Sequence, residues 1–182
     1  MNYKELYDEY IELLNERTVN INKVEKLKKG YLSTKTISGK DYTYLQYRKE
    51  GKLLSDYVMS SNLSIIQSEV TERKQRVEAI KEINIRLEKI EAATKILDIV
   101  LYRKLTTIRK CIEMDSLSLN NRKAALSFGN SMHALEGVAA TKNVDENLVN
   151  WANGGISFLE SFLSTLHNYN IMEVIDARSI LV

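Results

Sequence analysis

Proline is absent from this chain of 182 residues, and its seven glycines fall at only five places: Gly30, Gly39, Gly51, the Gly129/Gly137 stretch and Gly154/Gly155. Long uninterrupted tracts are therefore free to be helix. A single cysteine, Cys111, excludes an internal disulfide and any cysteine-based zinc site. It follows Arg109-Lys110, yet a lone cysteine on an apolar-flanked helix reads as a small core residue. Two histidines, His133 and His167, are too few and too far apart for a histidine metal cluster or a proton relay. No H-E-x-x-H, G-x-S-x-G, phosphate loop or G-x-G-x-x-G is present. Acid pairs such as Glu88/Glu91 have helical spacing and read as solvated surface. These absences leave no catalytic constellation and no cofactor motif, so the expectation is a binding protein and not an enzyme. No run approaches the roughly 20 apolar residues that span a bilayer. The charged opening Met1-Asn2-Tyr3-Lys4-Glu5 leads to the expectation of no signal peptide and of the reducing cytoplasm as compartment.

The chain does have an ordinary globular balance, 44% apolar and 27% charged residues, which is enough for a packed core in one good-sized domain or two small ones. Its net charge of +2 is unevenly spread. Lys23 to Lys52 holds nine Lys or Arg against three acids, whereas Leu126 to Val182 holds two bases against six acids. A basic end and an acidic end face different partners, or each other.

Apolar residues at Leu6, Tyr10, Leu13, Ile21, Val24 and Leu27 keep one helical face over about Asn2 to Leu27, in a single helix or one interrupted near Thr18; Gly30 stops it. Tyr, Thr and Val then dominate to Val58, with turn residues at Ser38-Gly39 and Glu50-Gly51, which predicts a three-stranded antiparallel meander. In its middle strand Tyr42, Tyr44 and Gln46 share one face, and Thr43, Leu45 and Tyr47 share the other. From Ser61 to about Leu101 the set Ile66, Val70, Val77, Ile80, Leu87, Ile90, Leu97, Leu101 steps in a heptad-like pattern. This long helix either folds back on the first one as an antiparallel hairpin or pairs with a second copy in a homodimeric coiled coil. Three shorter helices follow: about Leu117 to Glu136, Asp145 to Ala152, and one opened by the S-x-x-E capping box Ser157 to Glu160. The tail from Ile171 to Val182 is apolar enough for a fourth short helix or a docking peptide. The expected fold is mainly α: a long, coiled-coil-like hairpin carrying a small meander over 1–114, then a helical unit over 115–182, with the boundary near Met114-Asp115.

The stretch Ser127-Phe128-Gly129-Asn130-Ser131-Met132-His133-Ala134-Leu135-Glu136-Gly137, then Asp145-Glu146-Asn147-Leu148, then Trp151-Ala152-Asn153-Gly154-Gly155-Ile156-Ser157-Phe158-Leu159-Glu160, resembles the VbhA-type antitoxin domain of Fic toxins. The resemblance covers roughly Leu119 to Asn170. It implies a non-enzymatic protein-binding inhibitor whose partner transfers AMP from ATP to target hydroxyls. Glu136 then pairs with the partner arginine that holds the ATP γ-phosphate, and Gly137 is the small residue after it. A carboxylate can occupy a guanidinium bidentately and so exclude a phosphate. The family motif has Ser or Thr four residues before the glutamate; here Met132 stands there and Ser131 is one step earlier.

The block Lys29-Gly30-Tyr31-Leu32, Tyr42-Thr43-Tyr44-Leu45-Gln46-Tyr47-Arg48, Gly51-Lys52 resembles an uncharacterised bacterial module with a Tyr-Leu-Gln-Tyr-Arg core. It is also similar to the arm-type DNA-binding domain of phage integrases. Five of the ten tyrosines gather in this sheet (Tyr31, Tyr42, Tyr44, Tyr47, Tyr57), beside many cations. Lys28, Lys29, Lys35, Lys40, Tyr42, Tyr44, Arg48, Lys49 and Lys52 are the candidate nucleic-acid contacts, with cations for phosphates and phenols for backbone hydrogen bonds. A third expectation is a mobile-element (prophage) protein that blocks some other host enzyme, such as a defence nuclease.

Overall fold

A computed structural model of the chain describes residues 3–135 and 141–168, and these hold six α-helices and one three-stranded sheet. The chain divides into two compact units, Met1–Ile90 and Glu91–Val182. The Met114-Asp115 boundary read from the sequence falls inside the second.

In the first unit, helix α1 (Tyr3–Lys26) runs without a break. Thr18 does not interrupt it; its hydroxyl is taken up by the Leu14 carbonyl one turn back, at 2.9 Å. Helix α2 (Leu63–Leu97) follows the sheet and a single 3₁₀ turn, Ser60–Asn62. Three polar contacts set the register of α1 against α2. The Arg73 guanidinium donates to the Val24 carbonyl, Arg76 to Asn20 Oδ1 at 2.9 Å, and Arg86 to Glu9 Oε1 at 2.7 Å. Partner numbers that fall on one helix as they rise on the other mean an antiparallel hairpin, as the heptad pattern predicts. The same register sets Leu6, Tyr10 and Leu14 opposite Ile90, Leu87 and Ile83, all buried. The inward residue of α1 is Leu14 and not Leu13, a phase error of one position. Asn20 is buried with the Arg76 bond, which discourages a slip of the two helices.

Between the helices lies the meander: β1 (Tyr31–Ile37), β2 (Lys40–Lys49) and β3 (Lys52–Val58), antiparallel in the order β1-β2-β3. Both connections are two-residue turns with positive φ at each central residue, Ser38 and Gly39 at 51° and 75°, Glu50 and Gly51 at 52° and 78°. Such turns match the right-handed twist of the strands and fix the pairing. Thr34 therefore faces Thr43, and Tyr44 faces both Ser33 and Tyr57.

The long helix ends earlier than its heptads suggest. Asp98, at φ −153° and ψ 99°, leaves helical geometry, and its carboxylate accepts from the amides of Val100 at 2.9 Å and Leu101 at 3.0 Å. It thus caps a new helix, α3 (Ile99–Asp115), and leaves Leu97 73% exposed, not buried as the sequence pattern implies. Helices α4 (Leu119–Leu135), α5 (Lys142–Ala152) and α6 (Phe158–Asn168) complete the second unit. The first of them starts two residues, and the second three, away from the position read in the sequence. The tail from Ile171 to Val182 lies outside the described residues.

Helix α5 stops at Asn153-Gly154-Gly155 by donation from Gly154 to the Trp151 carbonyl and from Gly155 to the Asn150 carbonyl, each at 2.9 Å. The capping box forms as its spacing predicts: the Glu160 amide donates to Ser157 Oγ at 3.1 Å, and the Ser157 amide to Glu160 Oε2 at 2.7 Å. The unit is knotted together at Asp115. Its carboxylate accepts from Trp151 Nε1 at 3.0 Å and from the Phe158 amide at 2.7 Å, which joins the ends of α3 and α5 to the start of α6. Arg122 of α4 donates to the main-chain carbonyls of Asp115, Leu117 and Trp151. Trp151 is 1% exposed and meets the Phe158 ring edge-on at 4.9 Å.

Three substitutions test these local constraints. A Cβ at Gly30, whose φ is 134°, would lie 2.3 Å from the Gln46 carbonyl oxygen. Gly30→Ala is therefore expected to cost about 2–3 kcal/mol in urea denaturation, and Gly39→Ala, with open space around it, about 1 kcal/mol. Asp115→Ala removes a helix cap and strands a buried indole N–H, for an expected loss of about 2–4 kcal/mol. The fluorescence of Trp151, the single tryptophan, reads that transition directly.

Candidate functional site

Paired residues in an antiparallel sheet share a face, so the observed register sorts the meander's side chains without ambiguity. Leu45 and Val58 lie on one face and are buried. The two carboxylates of the strands are on that face too, each held by a hydroxyl there: Thr36 Oγ1 donates to Asp41 at 2.6 Å and the Tyr47 phenol to Asp56 at 2.9 Å. The bond to Asp56, with burial and the carboxylate's charge adding to it, holds the Tyr47 phenol above its ordinary pKa.

The opposite face is only partly exposed, with Tyr42, Tyr44 and Gln46 half-buried at its centre and exposed residues around them. It carries Tyr31, Tyr42, Tyr44 and Tyr57, together with Lys35, Lys40 and Arg48. The rings touch one another at an angle, with Tyr57 centred 6.0 Å from Tyr42 and 5.8 Å from Tyr44, and Lys35 Nζ lies 5.2 Å from the Tyr44 centroid. The Tyr31 phenol donates to Gln46. Tyr31 and Tyr57 are each 55% exposed, and no strand residue of this face is acidic.

Five of the nine sequence-assigned contacts thus converge: Lys35, Lys40, Tyr42, Tyr44 and Arg48. Lys49 and Lys52 do not join them. They pair with each other beside the β2–β3 turn on the other face, because their positions are out of phase by one residue. Lys28 and Lys29 are exposed in the segment before β1. Tyr31 and Tyr57 belong to the open face but lacked a face assignment in the sequence; the two-residue turns carried enough register information to place them.

The second candidate surface is on α4. Phe128, Met132 and Leu135 are 70%, 40% and 82% exposed and stand on successive turns, an apolar stripe facing solvent. Ser131 lies beside it, exposed, with its hydroxyl donating to the Ser127 carbonyl at 2.9 Å. Ser131 also borders an open cavity of about 610 Å³ between α4 and α5, along with Leu126, Asn130 and Val149. Glu136 and Gly137 lie outside the described residues; Leu135, the last residue of α4, immediately precedes them.

Among the described residues no group of His, Cys, Asp and Glu could hold a metal ion, and no helix is long and apolar enough to cross a membrane. Cys111 is 2% exposed, and burial, with the Asp115 carboxylate adding to it, pushes its thiol up to about 11. Only the thiolate is nucleophilic, so at pH 8 roughly one thiol in a thousand is reactive. Iodoacetamide is expected to leave the folded protein unlabelled for hours at pH 8 and to label it within minutes in urea; rapid native labelling would place the thiol at the surface.

No protein family, curated protein or solved structure matches the chain.

Proposed function

We propose that the protein is a non-enzymatic inhibitor that binds a protein partner through its second unit, acting as an antitoxin toward a Fic-type AMP-transferring enzyme. The observation that carries this reading is the exposed stripe Phe128, Met132 and Leu135, which runs along α4 to the residue before Glu136. Apolar side chains on successive turns suit a helix laid in a partner's groove. Such contacts would anchor the complex and bring the glutamate to the arginine that otherwise grips the ATP γ-phosphate. The pair is charge-assisted and bidentate, so it competes with phosphate for the same donors. The order of α4, α5 and a box-capped α6 also agrees with the resemblance.

Affinity and inhibition separate cleanly under this mechanism. Phe128→Asp with Leu135→Asp is expected to weaken the complex by about a hundredfold in titration calorimetry. Glu136→Gly is expected to leave the complex intact while AMP transfer returns. If Glu136→Gly forms the complex and AMP transfer stays as suppressed as with the natural chain, the assignment is wrong.

A further inference from the structure

We infer that the open face of the meander is a binding surface for single-stranded nucleic acid, independent of the protein-binding role of the second unit. Its charge has one sign. Lys35, Lys40 and Arg48 stand on it, while Asp41 and Asp56 are turned to the other face and tied there by Thr36 and Tyr47. A surface with three cations and no strand carboxylate complements a chain of phosphates.

Tyr57 touches Tyr42 and Tyr44, and Tyr31 bonds Gln46, contacts that leave much of both outer rings uncovered. The strands bury Leu45 and Val58 on the opposite face, while Tyr31 and Tyr57 remain more than half exposed on this one. Cations border the ring cluster: Lys35 sits over Tyr44, and Lys40 and Arg48 stand on β2 to either side of Tyr42 and Tyr44. That arrangement is what a nucleic-acid strand needs, phosphates on the cations and unpaired bases on the rings. A duplex has its bases already stacked on each other and would use the cations alone, so the rings favour the single strand. The surface continues past Tyr31, which also walls a cavity of about 610 Å³ between the start of β1 and α2; Arg73 and Lys74 line it as cations, while Lys81 there is paired with Glu78 at 2.8 Å.

The test is fluorescence anisotropy of the full chain with labelled 20-mers of oligo-dT and oligo-U and a 20-base-pair duplex. Binding to either single strand should exceed binding to the duplex, and the two single strands together show whether the sugar matters. The log–log salt dependence should have a slope of about −2, for three phosphates neutralised. The double variant Tyr31→Ala, Tyr57→Ala should weaken binding about tenfold or more, and Tyr57→Phe, which keeps the ring, should bind as the natural chain does. Should the alanine variant fail to fold, Arg48→Gln, at an exposed position, must still lower the salt slope by about 0.7. No binding of either single strand at low salt overturns the inference. So does tighter binding to the duplex, or capture of an acidic peptide such as poly-Glu on the same face without any affinity for oligonucleotide.

Discussion

A single three-stranded sheet is too thin to bury both of its faces. That constraint decides which residues of the first unit make core and which meet solvent. Leu45 and Val58 take the covered side, and the alternation of strands then forces Tyr42, Tyr44 and Arg48 to the other. Because the turns Ser38-Gly39 and Glu50-Gly51 allow only two central residues, neighbouring strands cannot slip to relieve the exposure. The open tyrosine face is thus fixed by the same geometry that holds the sheet together.

A comparable economy governs the second unit, through one carboxylate in place of a layer. Asp115 ends α3, accepts the indole proton of Trp151 and caps α6 at Phe158. Arg122 closes the group from α4 by taking the main-chain carbonyls that α3 and α5 leave at their ends. Helix α4 is secured at its start by these bonds, while Phe128, Met132 and Leu135, nearer its end, remain exposed. Anchoring at one end and an exposed apolar stripe toward the other are compatible with a helix that engages a partner.

Much of this was legible in the residues. The meander, both of its turns, the glycine stop of α5 and the capping box of α6 depend on contacts between near neighbours, and short-range signals state them. The hairpin followed from the heptads. Where the reading slipped, a competing local force or a long-range bond was responsible. The heptad pattern continues through Leu97 and Leu101, but the Asp98 carboxylate gains two amide donors by leaving the helix, and the break falls there. Leu13 and Leu14 are equally apolar, and only the packing of α1 selects the second. Trp151 and Asp115 are 36 positions apart, beyond any periodicity. At the candidate sites, strand phase separated Lys35 and Arg48 from Lys49 and Lys52, information available once the two-residue turns were taken literally. Glu136 was assigned from its motif alone and lies outside the described residues.

Two different surfaces, one in each unit, are proposed to bind two different kinds of partner. Hydrogen–deuterium exchange on the full chain tests this most directly, with a Fic-type enzyme added in one experiment and oligo-dT in the other. Exchange is expected to slow over Leu119–Leu135 with the enzyme and over Lys40–Lys49 with the oligonucleotide, each without the other. Protection of one and the same segment by both ligands, or none on α4 in the enzyme complex, would contradict it.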